Sequence, residues 1–136
     1  GTTDYAVEIY YEAAKGNKFT CNIAPDVYMD MMYMPDALRA TVELMEADPA
    51  KLKHRNSFNI AAMSFTPEII REVVERHVPG FQMDYNVDPV KDVISRSWPN
   101  SLDDTCAREE WGWKPEWDLE SMTKDMLEKV RIKLSL

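Results

Sequence analysis

Residues 57–80 read SFNIAAMSFTPEIIREVVERHVPG, and this stretch decides the fold. Ser57 to Phe65 is the most strand-like segment of the chain. Thr66 then offers a hydroxyl to cap a helix, and Pro67 suits a first helical position, where no N–H is needed. Ile69, Val73 and His77 fall on one side of that helix, with Ile70, Val74 and Val78 beside them. A strand running directly into a capped helix predicts an α/β architecture.

The same alternation extends outward. TTDYAVEIYYEAAKGN predicts a helix capped by Thr3 or Asp4, with Ala6, Tyr10 and Ala13 on one face and Gly16-Asn17 at its end. KFTCNIAP and YMDMMYM read as short strands, and Met29, Met31, Met32 and Met34 as core strand and strand edge. PDALRATVELMEADP predicts a helix with an apolar stripe of Leu38, Val42 and Met45. FQMDYNV alternates as a further strand. CAREEWGW predicts a short helix stopping near Gly112. Asp118 caps a last helix with a stripe of Leu119, Met122, Met126 and Val130, supported by Glu120/Lys124 and Asp125/Lys129 pairs. Together these elements predict one domain over residues 1–136, with a mixed sheet.

Composition narrows the function. The 136 residues carry a net charge of -8, which disfavours a nucleic-acid partner. No apolar run approaches the roughly 20 residues of a membrane span, and no secretory signal pattern is visible. Cys21 and Cys106 read as reduced, partly buried thiols, which suits the cytoplasm or the mitochondrial matrix. His54 and His77 have no ligand spacing to the cysteines, so no metal site is expected. The chain opens at Gly1 without an initiator Met, and reads as the later part of something longer.

Three patterns carry candidate chemistry. Tyr11 and Lys15 have the i,i+4 spacing of a hydride-transfer pair. The chain has only four glycines, however, and no Gly-x-Gly-x-x-Gly to hold a dinucleotide. The pair therefore reads as chance. Thr2, Thr3 and Asp4 offer hydroxyls, N–H groups and a carboxylate that suit a small zwitterion, or simple N-capping. Trp98 sits before Pro99 in a loop, as a pocket cover or as packing. Trp111, Trp113 and Trp117 predict a corner that fixes the angle between two helices, or the wall of a pocket.

DMMYMPDALRATVELME, SFNIAAMSFTPEIIREVVE and LDDTCAREEWGWKPEWDLESMTKDML together resemble the C-terminal, substrate-binding portion of the extended short-chain dehydrogenase/reductases. GTTDYAVEIYYEA, APDVYMDMMYMPDA and SWPNSLDDTCAREEWGWKP are specifically similar to the epimerase-like L-threonine 3-dehydrogenases. The resemblance implies a Rossmann domain lying before Gly1, with the NAD loop and the catalytic Tyr/Lys in it. It implies NAD as cofactor of the complete enzyme, none for this chain alone, and no catalytic residue here. It implies L-threonine as substrate and 2-amino-3-ketobutyrate as product, with Thr2, Thr3, Asp4 and Trp98 facing the amino acid. The expected partners are the Rossmann domain, against whose sheet SFNIA would pack, and further copies of the chain in a homo-oligomer. The alternative reading is a non-catalytic small-molecule-binding or protein-interaction module derived from the same family.

Overall fold

A computed structural model describes residues 4–136; Thr2 and Thr3 lie outside them. The first helix, α1 (Tyr5–Lys15), starts where Asp4 Oδ1 accepts the N–H of Ala6 at 3.2 Å. It stops at Gly16, whose φ of 75° is left-handed, a conformation that costs a glycine little. Strands β1 (Phe19–Cys21) and β2 (Met29–Met31) follow, then α2 (Met34–Glu46). After β3 (Met63–Phe65) comes α3 (Pro67–His77), where Thr66 Oγ1 accepts the N–H of Ile69 at 3.2 Å as expected. The chain closes with β4 (Met83–Tyr85), α4 (Pro89–Arg96), α5 (Thr105–Trp111) and α6 (Leu119–Leu134).

The α/β class holds, but helix outweighs strand. In place of one mixed sheet, the described residues form two separate pairs. β1 runs parallel to β4, with Thr20 opposite Asp84 and joined to it at 2.7 Å. β2 runs antiparallel to β3, with Met29 opposite Phe65. The expected strand from Ser57 shrinks to Met63–Phe65, because among the described residues no strand bonds to 57–62. β-Propensity without a partner does not make a strand.

The main core lies where α1 packs against α6 and α3. Ile9, Tyr10, Ile70, Val74, Leu127 and Val130 are buried there. Burial of such side chains is the main favourable term in folding, roughly 1.5–3 kcal/mol each. Tyr10 Oη and Thr123 Oγ1 meet at 2.9 Å inside it, so the polar tips are satisfied rather than stranded. Asp118 and Ser121 form a reciprocal capping box at the start of α6. Lys129 pairs with Asp125 at 2.7 Å, while Glu120 reaches across to Arg76 and His77 of α3.

Four expectations need correction. The Leu38, Val42 and Met45 stripe of α2 is 62%, 52% and 81% exposed, whereas Asp36 and Ala40 face inward. Met34 is exposed at the start of α2 rather than in a strand. β4 covers only the middle of FQMDYNV. Cys21 is buried and Cys106 exposed, and both are free thiols.

Trp111, Trp113 and Trp117 pack on α2 and on the segments before α2 and β3, and Trp111 also walls a hollow. Trp113 is buried and its Nε1 donates to Ala61 O at 3.0 Å. Arg39 lies over its ring at 4.8 Å from the centroid. Trp111 leans on it at 5.8 Å, and Trp117 meets Tyr33 edge-on at 5.0 Å. Gly112 makes the turn with a φ of 78°. Asp36 of α2 then collects the N–H groups of Glu116 and Trp117, each at 3.1 Å.

Candidate functional site

A cavity of about 170 Å³ opens between α1, β2 and α4. Each wall has a local cause. Asp4 and Tyr5 stand at the start of α1, fixed by the capping bond. Met29 and Met31 come from β2. Ile94, Ser95 and Lys91 come from α4, which Asp88 starts by accepting the N–H groups of Val90 and Lys91. Pro89 completes that first turn. Asp92 ties α4 to the segment after β1 by accepting the N–H of Ala24 at 3.3 Å. Arg96 bridges Asp92 and Asp26, each at 2.8 Å.

Asp4 and Trp98, 94 residues apart, line this one cavity. Trp98 follows α4 directly, its N–H bonded to Ser95 O at 3.2 Å. Its indole is 46% exposed, so it sits at the rim. Asp4 also serves as the helix cap, so the capping and site readings are compatible. Two wall residues were not singled out from sequence. Lys91 adds a basic side chain opposite in sign to Asp4. Tyr5 is buried, and its hydroxyl has no hydrogen-bond partner among the described residues. Burial, with Cys21 and Asp4 nearby, pushes that phenol well above its ordinary range. Lys91 was hidden by an ordinary charged helix surface, and Tyr5 by its helical stripe.

The Tyr11/Lys15 pair is taken apart by the fold. Tyr11 Oη accepts from Lys133 Nζ at 2.8 Å, and Lys15 pairs with Glu12 at 2.9 Å. His54 and Cys106, which have no ligand spacing in the sequence, are brought together by the fold with Glu110. His54, Cys106 and Glu110 bring ligand-type atoms within 4.8 Å of one another. A second, more open hollow of about 440 Å³ lies beside them, walled by Phe58, Leu44, Met45 and Trp111.

The architecture is that of the C-terminal portion of the epimerase-like extended short-chain dehydrogenase/reductases. Within that class, the chain is similar to L-threonine 3-dehydrogenases. It superimposes on the L-threonine dehydrogenase of Clostridium difficile with a TM-score of 0.94 and 56% identity, covering 98% of this chain and 42% of that one. The GalE-like L-threonine dehydrogenase of Cupriavidus necator gives 0.91 and 50%, covering 96% and 46%. An uncharacterized epimerase/dehydratase of Staphylococcus aureus is 53% identical over 98% of this chain and 41% of its own length. The chain therefore spans about two fifths of the length of the relatives it matches. No protein-family model matches it. Among the described residues, no helix is long and apolar enough to cross a membrane.

Proposed function

We propose that this chain is the substrate-binding part of an NAD-dependent L-threonine 3-dehydrogenase, which oxidises L-threonine to 2-amino-3-ketobutyrate. The observation that supports this most is the shared cavity of Asp4, Lys91 and Trp98. Threonine is a small zwitterion, and a pocket for it must satisfy an ammonium and a carboxylate together. Asp4 suits the ammonium. Lys91 and the Tyr5 hydroxyl supply donors for the carboxylate; Thr2 and Thr3, outside the described residues, are assigned to the same group by the resemblance alone. Trp98 at the rim shields these contacts from water, which strengthens them.

The chain has no Gly-rich turn to cradle a pyrophosphate, so none of its residues is assigned to the dinucleotide. The hydroxyl of the substrate is left to a region corresponding to the rest of the relatives' length. The apolar outer faces of α2 and α4 suit docking against it: Leu38, Val42, Val90 and Val93 are all exposed. The isolated chain accordingly has no threonine oxidation of its own.

A chimera tests the reading. This chain replaces the matching segment of the Clostridium difficile enzyme, and NADH formation from L-threonine is followed. Threonine-dependent reduction of NAD+ supports the assignment. A folded, NAD-binding chimera that ignores threonine rejects it, and NADH production by the isolated chain rejects the division of labour.

A further inference from the structure

We propose that Cys106 is a reactive thiol that exchanges with low-molecular-weight disulfides, with His54 as its base and Glu110 as the residue positioning that base. The inference is independent of the threonine reading.

The argument starts from α5. Cys106 and Glu110 are four residues apart in one helix, so they share a face. His54 arrives from the connector between α2 and β3 and lies against both. Its Nδ1 makes a close hydrogen bond with Glu110 Oε1, and its Nε2 stands 4.0 Å from Cys106 Sγ. Glu110 is itself fixed: its buried carboxylate accepts the backbone N–H groups of Lys53 at 2.6 Å and His54 at 3.0 Å. Burial pushes the Glu110 carboxyl up, but these N–H bonds and the imidazole outweigh it and hold the group below the usual carboxylate range. An ionised acceptor at Nδ1 keeps the proton on that nitrogen and leaves the Nε2 lone pair facing sulfur. Nucleophile, base and orienting carboxylate thus stand in the order that activates thiols elsewhere.

Three further observations favour a reactive thiol over its rivals. Cys106 is exposed, so a reagent can reach it, while Cys21 is buried. The Glu110 oxygens already accept from three donors. A metal would retain only His54 Nε2 and Cys106 Sγ, two ligands where zinc takes four. The hollow beside His54, walled by Phe58 and Trp111, offers an apolar seat for the body of a disulfide.

The step balances. The thiol proton passes to His54 Nε2 as sulfur attacks one sulfur of the disulfide. The reagent S–S bond breaks, a mixed disulfide forms on Cys106, and the leaving half departs as a thiolate that takes the proton back. Cys106 is oxidised and the leaving half reduced, so no other oxidant is needed.

The test is the rate of thione release from dithiodipyridine by the whole chain at neutral pH, with the labelled residue located by mass spectrometry. General-base assistance is worth roughly a hundredfold or more at its best, so an excess of about tenfold over the same thiol in the urea-unfolded chain is expected. His54→Ala removes that excess, and added imidazole restores part of it. Glu110→Gln lowers the rate with the fold intact, and Glu110→Asp recovers some of it. Equal rates in the folded and unfolded chain overturn the proposal whatever the variants do. Labelling of Cys21 first, an unchanged rate in His54→Ala, or stoichiometric zinc held by all three side chains does the same.

Discussion

The backbone N–H of Trp117 donates to Asp36 Oδ2 at 3.1 Å, joining residues 81 positions apart. The same carboxylate is fully buried, accepts from Glu116, and pairs with Arg39 at 2.9 Å. It is the clasp between α2 and the approach to α6. Removing it strands the two N–H groups, while Arg39 keeps Glu43 and the Lys114 carbonyl as partners. Asp36→Ala should therefore cost about 2–4 kcal/mol, roughly 1–3 for each stranded donor. Urea denaturation measures this, and a loss under about 1 kcal/mol would show the clasp to be dispensable.

Trp113 and Trp111 should separate in the same assay. Trp113 is buried and hydrogen-bonded, whereas Trp111 is half-buried. Trp113→Ala is expected to cost about 3–5 kcal/mol, as for a buried aromatic, and Trp111→Ala distinctly less. Equal losses would mean that the corner acts as one unit with no principal residue.

Alkaline pH should unfold the chain through its buried phenols. Burial pushes Tyr10 up to about 12, against a smaller pull from its bond to Thr123. Tyr5 and Tyr85 are also pushed up, by burial first. An unfolded tyrosine ionises near pH 10, roughly. Between those values only the unfolded chain releases the proton, so stability is intact below about pH 10 and falls as pH rises toward 12. The Tyr10 share of that loss is on the order of 3 kcal/mol. Tyrosinate absorbance followed with denaturation at several pH values checks this, and Tyr10→Phe should flatten the slope. A flat profile from pH 9 to 12 would contradict it.

Asp4→Asn separates capping from charge. Asn caps helices about as well as Asp, so α1 should survive while the negative charge goes. A lost charge-assisted hydrogen bond costs roughly 1.5–3 kcal/mol, or about one to two decades in binding. In the chimera, Asp4→Asn and Trp98→Ala should each raise the threonine KM by about that factor and leave NAD+ nearly unaffected. Parallel losses for both substrates would assign these residues to the fold.

The outer stripe of α2 should make the isolated chain associate. Leu38→Glu with Val42→Lys is expected to lower dye binding to apolar surface and to simplify light scattering without loss of helix. If the parent chain is already monomeric and dye-free, the docking role for this face fails.

That same stripe shows what a sequence can and cannot tell. A spacing of 3.6 reports that Leu38, Val42 and Met45 share a face, but not what covers it. Ala40 and Asp36 carry too little apolar signal to reveal the face that is truly buried. Caps were legible because their cause is local: Asp4, Thr66, Asp118 and Gly112 each act within three or so residues. The strand expected from Ser57 shortens to Met63–Phe65 because pairing, which depends on a distant segment, decides strands. The joint cavity of Asp4 and Trp98, and the cluster of His54 with Cys106 and Glu110, depend on tertiary closure that no local pattern encodes.

The bond between Tyr10 and Thr123 also sets a timetable. The apolar face of α1 leaves the ribosome well before α6, the helix it packs against most. Until α6 emerges, Ile9 and Tyr10 have only α3 and β1 to pack against, so this core closes only once α6 is made. The nascent segment is meanwhile a natural client for chaperones that grip exposed aliphatic and aromatic stretches. Chains stalled before Leu119 should be cut readily by protease within α1, and chains in which residues 119–134 have emerged should resist.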